Sequence, residues 1–470
     1  MSTQFLSMGD LFHVNIIEEY HISPPPESFI PPITLPLTYF DIPWLFYSPN
    51  QTLFFYKKIP PKFITTLKKS LSLALQHFYP LAGNLLIPPP PIEPYIVYTN
   101  GDSVSFTIAK TNTNIDNLSG NHPRNVTDLS SLLTQLPSPS IKNDNDDVTL
   151  LVLPLLAIQV TVFGDDSGLS IGVTSQHAAC DERTLYAFMK LWASYCKSLL
   201  NNESLVAFKN SPWFDRNVIL DPNNLKTTLL KQWWNKMNSP KNNNSYEETE
   251  KDIVQSTFYF SPLDIKTIRE YVVGKCKKLK EDPPLNLSLY ETGACYTWIC
   301  LLKLQETKNN NNPVYLGYNA SGISRLKYEI PFSYFGCCIV FGRFGELESE
   351  LLGENGLVCA TQSFEIEINR LVRDFLEGGE NWIKDWNELN LRIIGSPKVD
   401  FYGIDFGVGK AEKIEKISGD KHGRVHVMTM NGGREIMDGG LEIGVVLSKD
   451  KMSEFTTLFN NGLVELAKKC

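Results

Sequence analysis

His177 and Asp181, separated by Ala178, Ala179 and Cys180, are the residues of this 470-residue chain best suited by type and spacing to do chemistry. An imidazole with an ordinary pKa near 6.5 takes a proton from a hydroxyl at neutral pH, which is the task of a general base in group transfer. An aspartate one helical turn further on can fix the loop or pair with a cation. Spacing alone leaves a second account open, in which His177 fills a strand end and Asp181 caps a helix. Cys180 lies close to His177 in sequence, but sequence neighbours do not make a catalytic dyad, and its apolar surroundings indicate burial.

The flanking pattern tells which elements must hold this pair. Leu169, Ile171, Val173, Ser175 and His177 alternate with Ser170, Gly172, Thr174 and Gln176, the period of two of a β-strand. After Asp181 the period changes: Leu185, Phe188, Met189, Trp192, Tyr195, Cys196 and Leu199 recur at threes and fours, as on an amphipathic helix. Asp181 and Glu182 occupy its first turn, where unpaired N–H groups and the helix dipole favour carboxylates. The expected local structure is strand, tight turn, helix, with the histidine at the turn and projecting into a cleft.

Other motifs fall short. Asp405-Phe406-Gly407 resembles a kinase triplet, but the chain has no H-R-D loop and no V-A-I-K lysine. The P-loop spacing fails at Lys410, because Ile404 stands where its first glycine belongs and Ala411 follows the lysine. There is no G-x-S-x-G elbow and no H-E-x-x-H. The nine cysteines include no C-x-x-C pair and mostly sit in apolar segments, which fits reduced thiols and no metal framework.

A chain this long exceeds what one core usually fills, so two domains are expected. Residues 1–200 read as an N-terminal α/β domain and 251–470 as a second. Between them, 201–250 is rich in Asn, Ser, Pro and Lys and reads as a crossover linker interrupted by a helix over Leu225–Met237. Small-molecule sites favour the cleft between domains. Lys plus Arg number 44 against 52 Asp plus Glu, a net charge of −8 that argues against a nucleic-acid partner. No apolar run is long enough for a bilayer, and the N-terminus lacks a basic stretch before an apolar one, so the cytoplasm is the expected compartment.

H-A-A-C-D at 177–181 and D-F-G-V-G at 405–409 are similar to the H-x-x-x-D and D-F-G-W-G signatures of the plant BAHD acyl-CoA-dependent acyltransferases. LPLTYFDIPWL, HFYPLAGNLL, PLLAIQVTVF, SPWFDR, CYTWICLLK, YFGCC and GGLEIGVVL resemble family segments in the same order. HAACDERT, SPWFDR and the YFG block look closest to the branch that moves malonyl and other aliphatic acyl groups onto glycosides and alkaloids.

The resemblance implies an α/β fold of two similar mixed-sheet domains of the chloramphenicol-acetyltransferase type, with a solvent channel between them. Acyl-CoA enters as a co-substrate, a small plant metabolite is the acceptor, and the two meet in a ternary complex on a monomer with no metal or other cofactor. His177 becomes the general base. Asp181 becomes structural, with Arg325 as its partner, and Asp405, Phe406, Gly407 and Gly409 form an architectural turn. A malonyl carboxylate calls for a cation, most effectively an arginine; Arg424 and Arg183 are the candidates. Lys275, Lys277 and Lys278, with Lys280 beside them, are candidates for a CoA phosphate, against a solvated helix end as the plainer account. His422 and His426 receive no role. Val408, Cys337 and Ile323 depart from the family pattern. Val408 removes an indole N–H that could steady an oxyanion, and together the three raise the alternative of a non-catalytic relative that binds CoA esters. A peptide-forming condensation domain fits less well, because Gln176 and Glu182 flank the motif in place of its H-H-x-x-x-D-G.

Overall fold

The computed structural model describes residues 12–143, 149–164, 167–238, 252–285, 287–305, 312–396, 398–417, 426–432 and 439–469. Three sheets organise it. A six-stranded mixed sheet runs Asn15–Ile22, Val104–Lys110, Leu156–Val162, Leu169–Ser175, Asn50–Tyr56, Lys413–Ile417. A seven-stranded mixed sheet runs Ile339–Leu347, Pro313–Ser321, Leu391–Ile394, His426–Gly432, Leu441–Ser448, Ile253–Phe260, Arg124–Asn125. A smaller five-stranded sheet joins Ile33–Pro36, Tyr95–Tyr98, Asn84–Ile87, Thr149–Pro154 and Ser140–Asn143.

The two large sheets exchange strands. Lys413–Ile417, from the C-terminal half, pairs antiparallel with Asn50–Tyr56, and Arg124–Asn125, from the N-terminal half, pairs with Ile253–Phe260. A cut at residues 200 and 251 therefore does not separate the sheets. The exchange is tied by charge: Arg124 meets Glu415 at 2.6 Å with both side chains buried, and Glu415 also accepts from Thr257. Lys413 bridges to Glu442 at 3.0 Å. Buried ions survive only when paired and hydrogen-bonded. That condition is met here, and it lets the charged sequence KIEKI lie inside.

The strand and helix around His177 form as their periods require, with one difference. Leu169–Ser175 is buried on both faces, because its Ser, Gly and Thr face packs under the 126–134 segment, where Thr174 donates to the carbonyl of Thr134. The strand stops at Ser175, and His177–Ala179 form a single 3-10 turn. Glu182–Leu200 is the amphipathic helix, with Asp181 at its N-cap accepting from the Thr184 N–H at 3.0 Å. The linker helix spans Leu225–Asn238. Among the described residues no helix is long and apolar enough to cross a membrane. The eight described cysteines are free thiols.

Candidate active site

A cleft of about 390 Å³ opens where the two halves meet, and His177 lies on its wall. The 44–52 segment, His177, Glu182 and Lys416 line it on one side; Asn319, Trp386, Arg392, Val427 and Thr429 line it on the other, and the linker helix adds Lys236. The His177 ring lies flat on the Trp44 indole, with centroids 3.4 Å apart and planes 3° from parallel. It is 8% exposed, and its Nδ1 is buried without a hydrogen-bond partner. Burial, with a smaller push from the Lys416 ammonium, brings the imidazole down to about 3. Burial therefore keeps the ring in its neutral form, the form a general base needs before it takes a proton.

Among the described residues no carboxylate bonds to this ring; the contacts that hold the turn are to its backbone. Cys337 Sγ donates to the His177 carbonyl at 3.1 Å, and the Asp181 N–H donates to the Gly336 carbonyl at 3.3 Å. Asp181 turns away from the cleft, caps the helix and accepts from the Cys338 N–H at 3.2 Å. Asp41 accepts from the Cys337 N–H at 3.0 Å and meets buried Arg216 at 3.3 Å, while Arg216 donates to the Tyr334 hydroxyl at 2.8 Å. Gly336 sits at φ 145°, and a Cβ there would run into the Arg216 guanidinium. The TYFD, SPWFDR and YFGCC segments, distant in sequence, thus form one buried knot beneath the histidine turn.

Several expected placements change. Arg325 is not the partner of Asp181; it donates to the Ser321 carbonyl, and the cation near Asp181 is Arg183, at 3.6 Å. Arg183 is outside the cleft lining and donates to the carbonyls of Phe332 and Tyr334, so it cannot clamp an acyl carboxylate. Arg424 and His422 lie outside the described residues, as does the side chain of His426. Lys275 pairs with Glu354, Lys277 and Lys278 are exposed at the end of helix Pro262–Leu279, and none of the three lines the cleft. Cys180 is buried, and burial pushes its thiol well up.

The 405–409 turn is also remote from His177. Asp405 accepts from the N–H groups of Gly407 and Gly409, each at 2.8 Å, and pairs with Lys197 at 2.8 Å. Partial burial pushes its carboxyl up, but Lys197 and the two N–H groups outweigh this and hold it below the usual range. Gly407 and Gly409 take φ of 93° and 95°, which a side chain adopts only under strain. Phe406 is fully buried, edge-on to Trp192 at 4.9 Å. None of Val408, Cys337 and Ile323 lines the cleft.

The cleft also holds residues that the motifs did not reveal. Lys416, 5% exposed at its side chain, contacts Glu182, and burial presses its ammonium down to about 7. Arg392 donates to the Trp386 carbonyl at 3.0 Å and stacks near Trp386 and Tyr47. Lys236 lies over the Phe46 ring at 4.7 Å. Among the described residues no cluster of three or more His, Cys, Asp and Glu could hold a metal ion.

A sequence model of the transferase family matches residues 12–461. The chain belongs to this family, the BAHD acyltransferases. It is 33% identical to a coumaroyl-CoA:anthocyanidin 3-O-glucoside-6''-O-coumaroyltransferase of Arabidopsis thaliana, with 96% of this chain and 98% of that protein covered. It is also 33% identical to a malonyl-coenzyme A:anthocyanin 3-O-glucoside-6''-O-malonyltransferase of Dahlia pinnata, over 97% of this chain and 99% of that protein. Vinorine synthase superposes with a TM-score of 0.64 at 19% identity, covering 95% of this chain and 98% of that one, and shares the two-domain fold. As a BAHD member the chain is an acyl-CoA-dependent acyltransferase.

Proposed function

We propose that the chain moves an acyl group from a CoA thioester to a sugar hydroxyl of a phenolic or anthocyanin-type glucoside, with His177 as general base in a ternary complex. The observation that carries this reading is the neutral imidazole of His177, held flat against Trp44 on the wall of the inter-domain cleft. The acceptor O–H gives its proton to the imidazole as its oxygen bonds to the thioester carbonyl carbon, and the carbonyl electron pair moves to oxygen. When that pair returns, the carbon–sulfur bond breaks and the CoA thiolate takes the proton back from the imidazolium, leaving ester, free thiol and neutral His177. Holding both substrates in one cleft removes the entropic cost of bringing them together.

Glucosides are favoured over alkaloids as acceptors by the relatives' own substrates. The same reading has the chain acting as a cytosolic monomer, with acyl-CoA as co-substrate and no resident metal. The test is thiol release from malonyl-, acetyl- and p-coumaroyl-CoA with panels of phenolic glucosides, anthocyanins and alkaloid alcohols. Acyl ester formed on glucosides supports the proposal. Turnover confined to alkaloids, or absent throughout, contradicts it.

A further inference from the structure

Glu182 and Lys416 come from opposite halves of the chain and meet on the cleft wall. Glu182 opens the helix Glu182–Leu200, and Lys416 belongs to the exchanged strand Lys413–Ile417. The two are not equally available to a ligand. The Lys416 side chain is 5% exposed, with its ammonium 5.1 Å from the Phe401 ring centroid, and its stem runs past Gly395, where a Cβ would stand 2.9 Å from Cε. The Glu182 side chain is 23% exposed. Lys416 contacts its Oε1, and among the described residues nothing bonds to its Oε2. Thr52 stands opposite Lys416 on the paired strand, with Gln51 and Asn50 before it, and all three line the cleft together with the rings of Phe401 and Trp44.

This pair decides what the wall accepts. A carboxylate or phosphate would meet the more exposed Glu182 carboxylate, and an ammonium would be set beside Lys416; either puts like charge against like in a partly dehydrated cleft. A hydroxyl escapes both. It donates to Oε2 of Glu182 in a charge-assisted hydrogen bond, and it can accept from side-chain amides of the kind that Asn50 and Gln51 carry. The aromatic rings alongside cover the C–H groups between hydroxyls. Hydroxyls on a skeleton with apolar faces are what a sugar ring offers. We propose that Glu182, held in place by Lys416, determines acceptor specificity by accepting a hydrogen bond from a ring hydroxyl of the acceptor's sugar, while His177 on the same cleft takes the proton of the hydroxyl that is acylated. Lys416 is a positioning residue. The proposal rests on the acyl-transfer reading and deepens it by naming what holds the acceptor.

Equilibrium calorimetry with free CoA present reads the subsite without chemistry. Phenyl β-glucoside and its 2-, 3- and 4-deoxy analogues are titrated into wild type, Glu182→Gln, Lys416→Met and the double variant Glu182→Leu/Lys416→Met, which spares the fold a buried lysine without its partner. Malonyl-CoA is titrated separately as the control. In wild type at least one deoxy analogue should bind about ten- to a hundred-fold more weakly than phenyl glucoside. That ratio should fall partway in Glu182→Gln, which keeps an uncharged acceptor, and in Lys416→Met, which frees the carboxylate to move. In the double variant it should collapse toward one, with malonyl-CoA affinity kept within a few-fold. Several results overturn the proposal: equal binding of all four glucosides by wild type, binding of none, a ratio unmoved by Glu182→Gln or surviving in the folded double variant, or a loss of malonyl-CoA affinity in place of sugar discrimination. Thiol release keeps the two readings apart. A wild type that acylates phenyl glucoside yet binds the deoxy analogues equally well loses the subsite alone; one that discriminates among them but releases no thiol from any CoA donor loses the acyl-transfer reading alone.

Discussion

His177 is buried against an indole, with no carboxylate bonded to it among the described residues, and this burial sets how it responds to pH. The folded ring protonates near 3 and an unfolded histidine near 6.5, so the unfolded chain takes up the proton first. Stability from this group is therefore intact above pH 6.5 and drains away as the pH falls toward 3. His177→Gln removes that titration, and its urea midpoint should fall less steeply than wild type's between pH 6.5 and 4; parallel slopes would contradict the burial argument. Asp181 acts through backbone. Asp181→Ala loses a cap costing about 0.5–2 kcal/mol and strands the buried Cys338 N–H at about 1–3 kcal/mol more, whereas Asp181→Asn keeps an acceptor and should recover most of the loss in a denaturation curve. Arg325→Ala should stay within about 0.5 kcal/mol of wild type. His177 and the capping role of Asp181 were legible, because a period change in sequence marks the turn between strand and helix. Arg392, Lys236 and Lys416 were not, since each is an unremarkable charge on its own element and gains meaning only from the face opposite.

At the scale of elements, periodicity located the helices Glu182–Leu200 and Leu225–Asn238, but it concealed the strand exchange. Arg124–Asn125 is too short to carry a period, and Lys413–Ile417 looks like solvent-facing strand until Arg124, Glu442 and Glu182 are seen to meet its charges. Arg124→Met leaves Glu415 charged and buried, and should cost about 3–5 kcal/mol in chemical denaturation, much of it returned by the double variant Arg124→Met/Glu415→Leu. A double variant as unstable as the sum of the singles would show that the pair does not couple the halves. At the 405–409 turn, a Cβ on Gly407 would stand 2.9 Å from Leu200 Cδ1 and 3.2 Å from Lys197 Cα. Gly407→Ala should therefore lower the melting temperature while affecting kcat only through the folded fraction, because the turn braces the far end of the helix whose near end follows His177.

The whole molecule reads as two mixed-sheet halves whose function lies in the seam. Composition and length indicated two cores, and the family resemblance supplied the channel; that Lys236, Arg392 and Lys416 come together among the described cleft residues was invisible in a net charge of −8, because overall charge says nothing of where charges gather. The knot of Asp41, Arg216, Tyr334 and Cys337 explains why segments so far apart in sequence belong together: they fix the backbone on which the histidine turns. The central claim is that this histidine is the base, and the direct measurement is thiol release from the best CoA donor and glucoside pair by wild type and His177→Ala, with donor binding and circular dichroism followed alongside. A kcat lowered by about 10²–10⁴-fold, with fold and donor affinity kept, is the predicted result. A His177→Ala variant that turns over within a few-fold of wild type would contradict it.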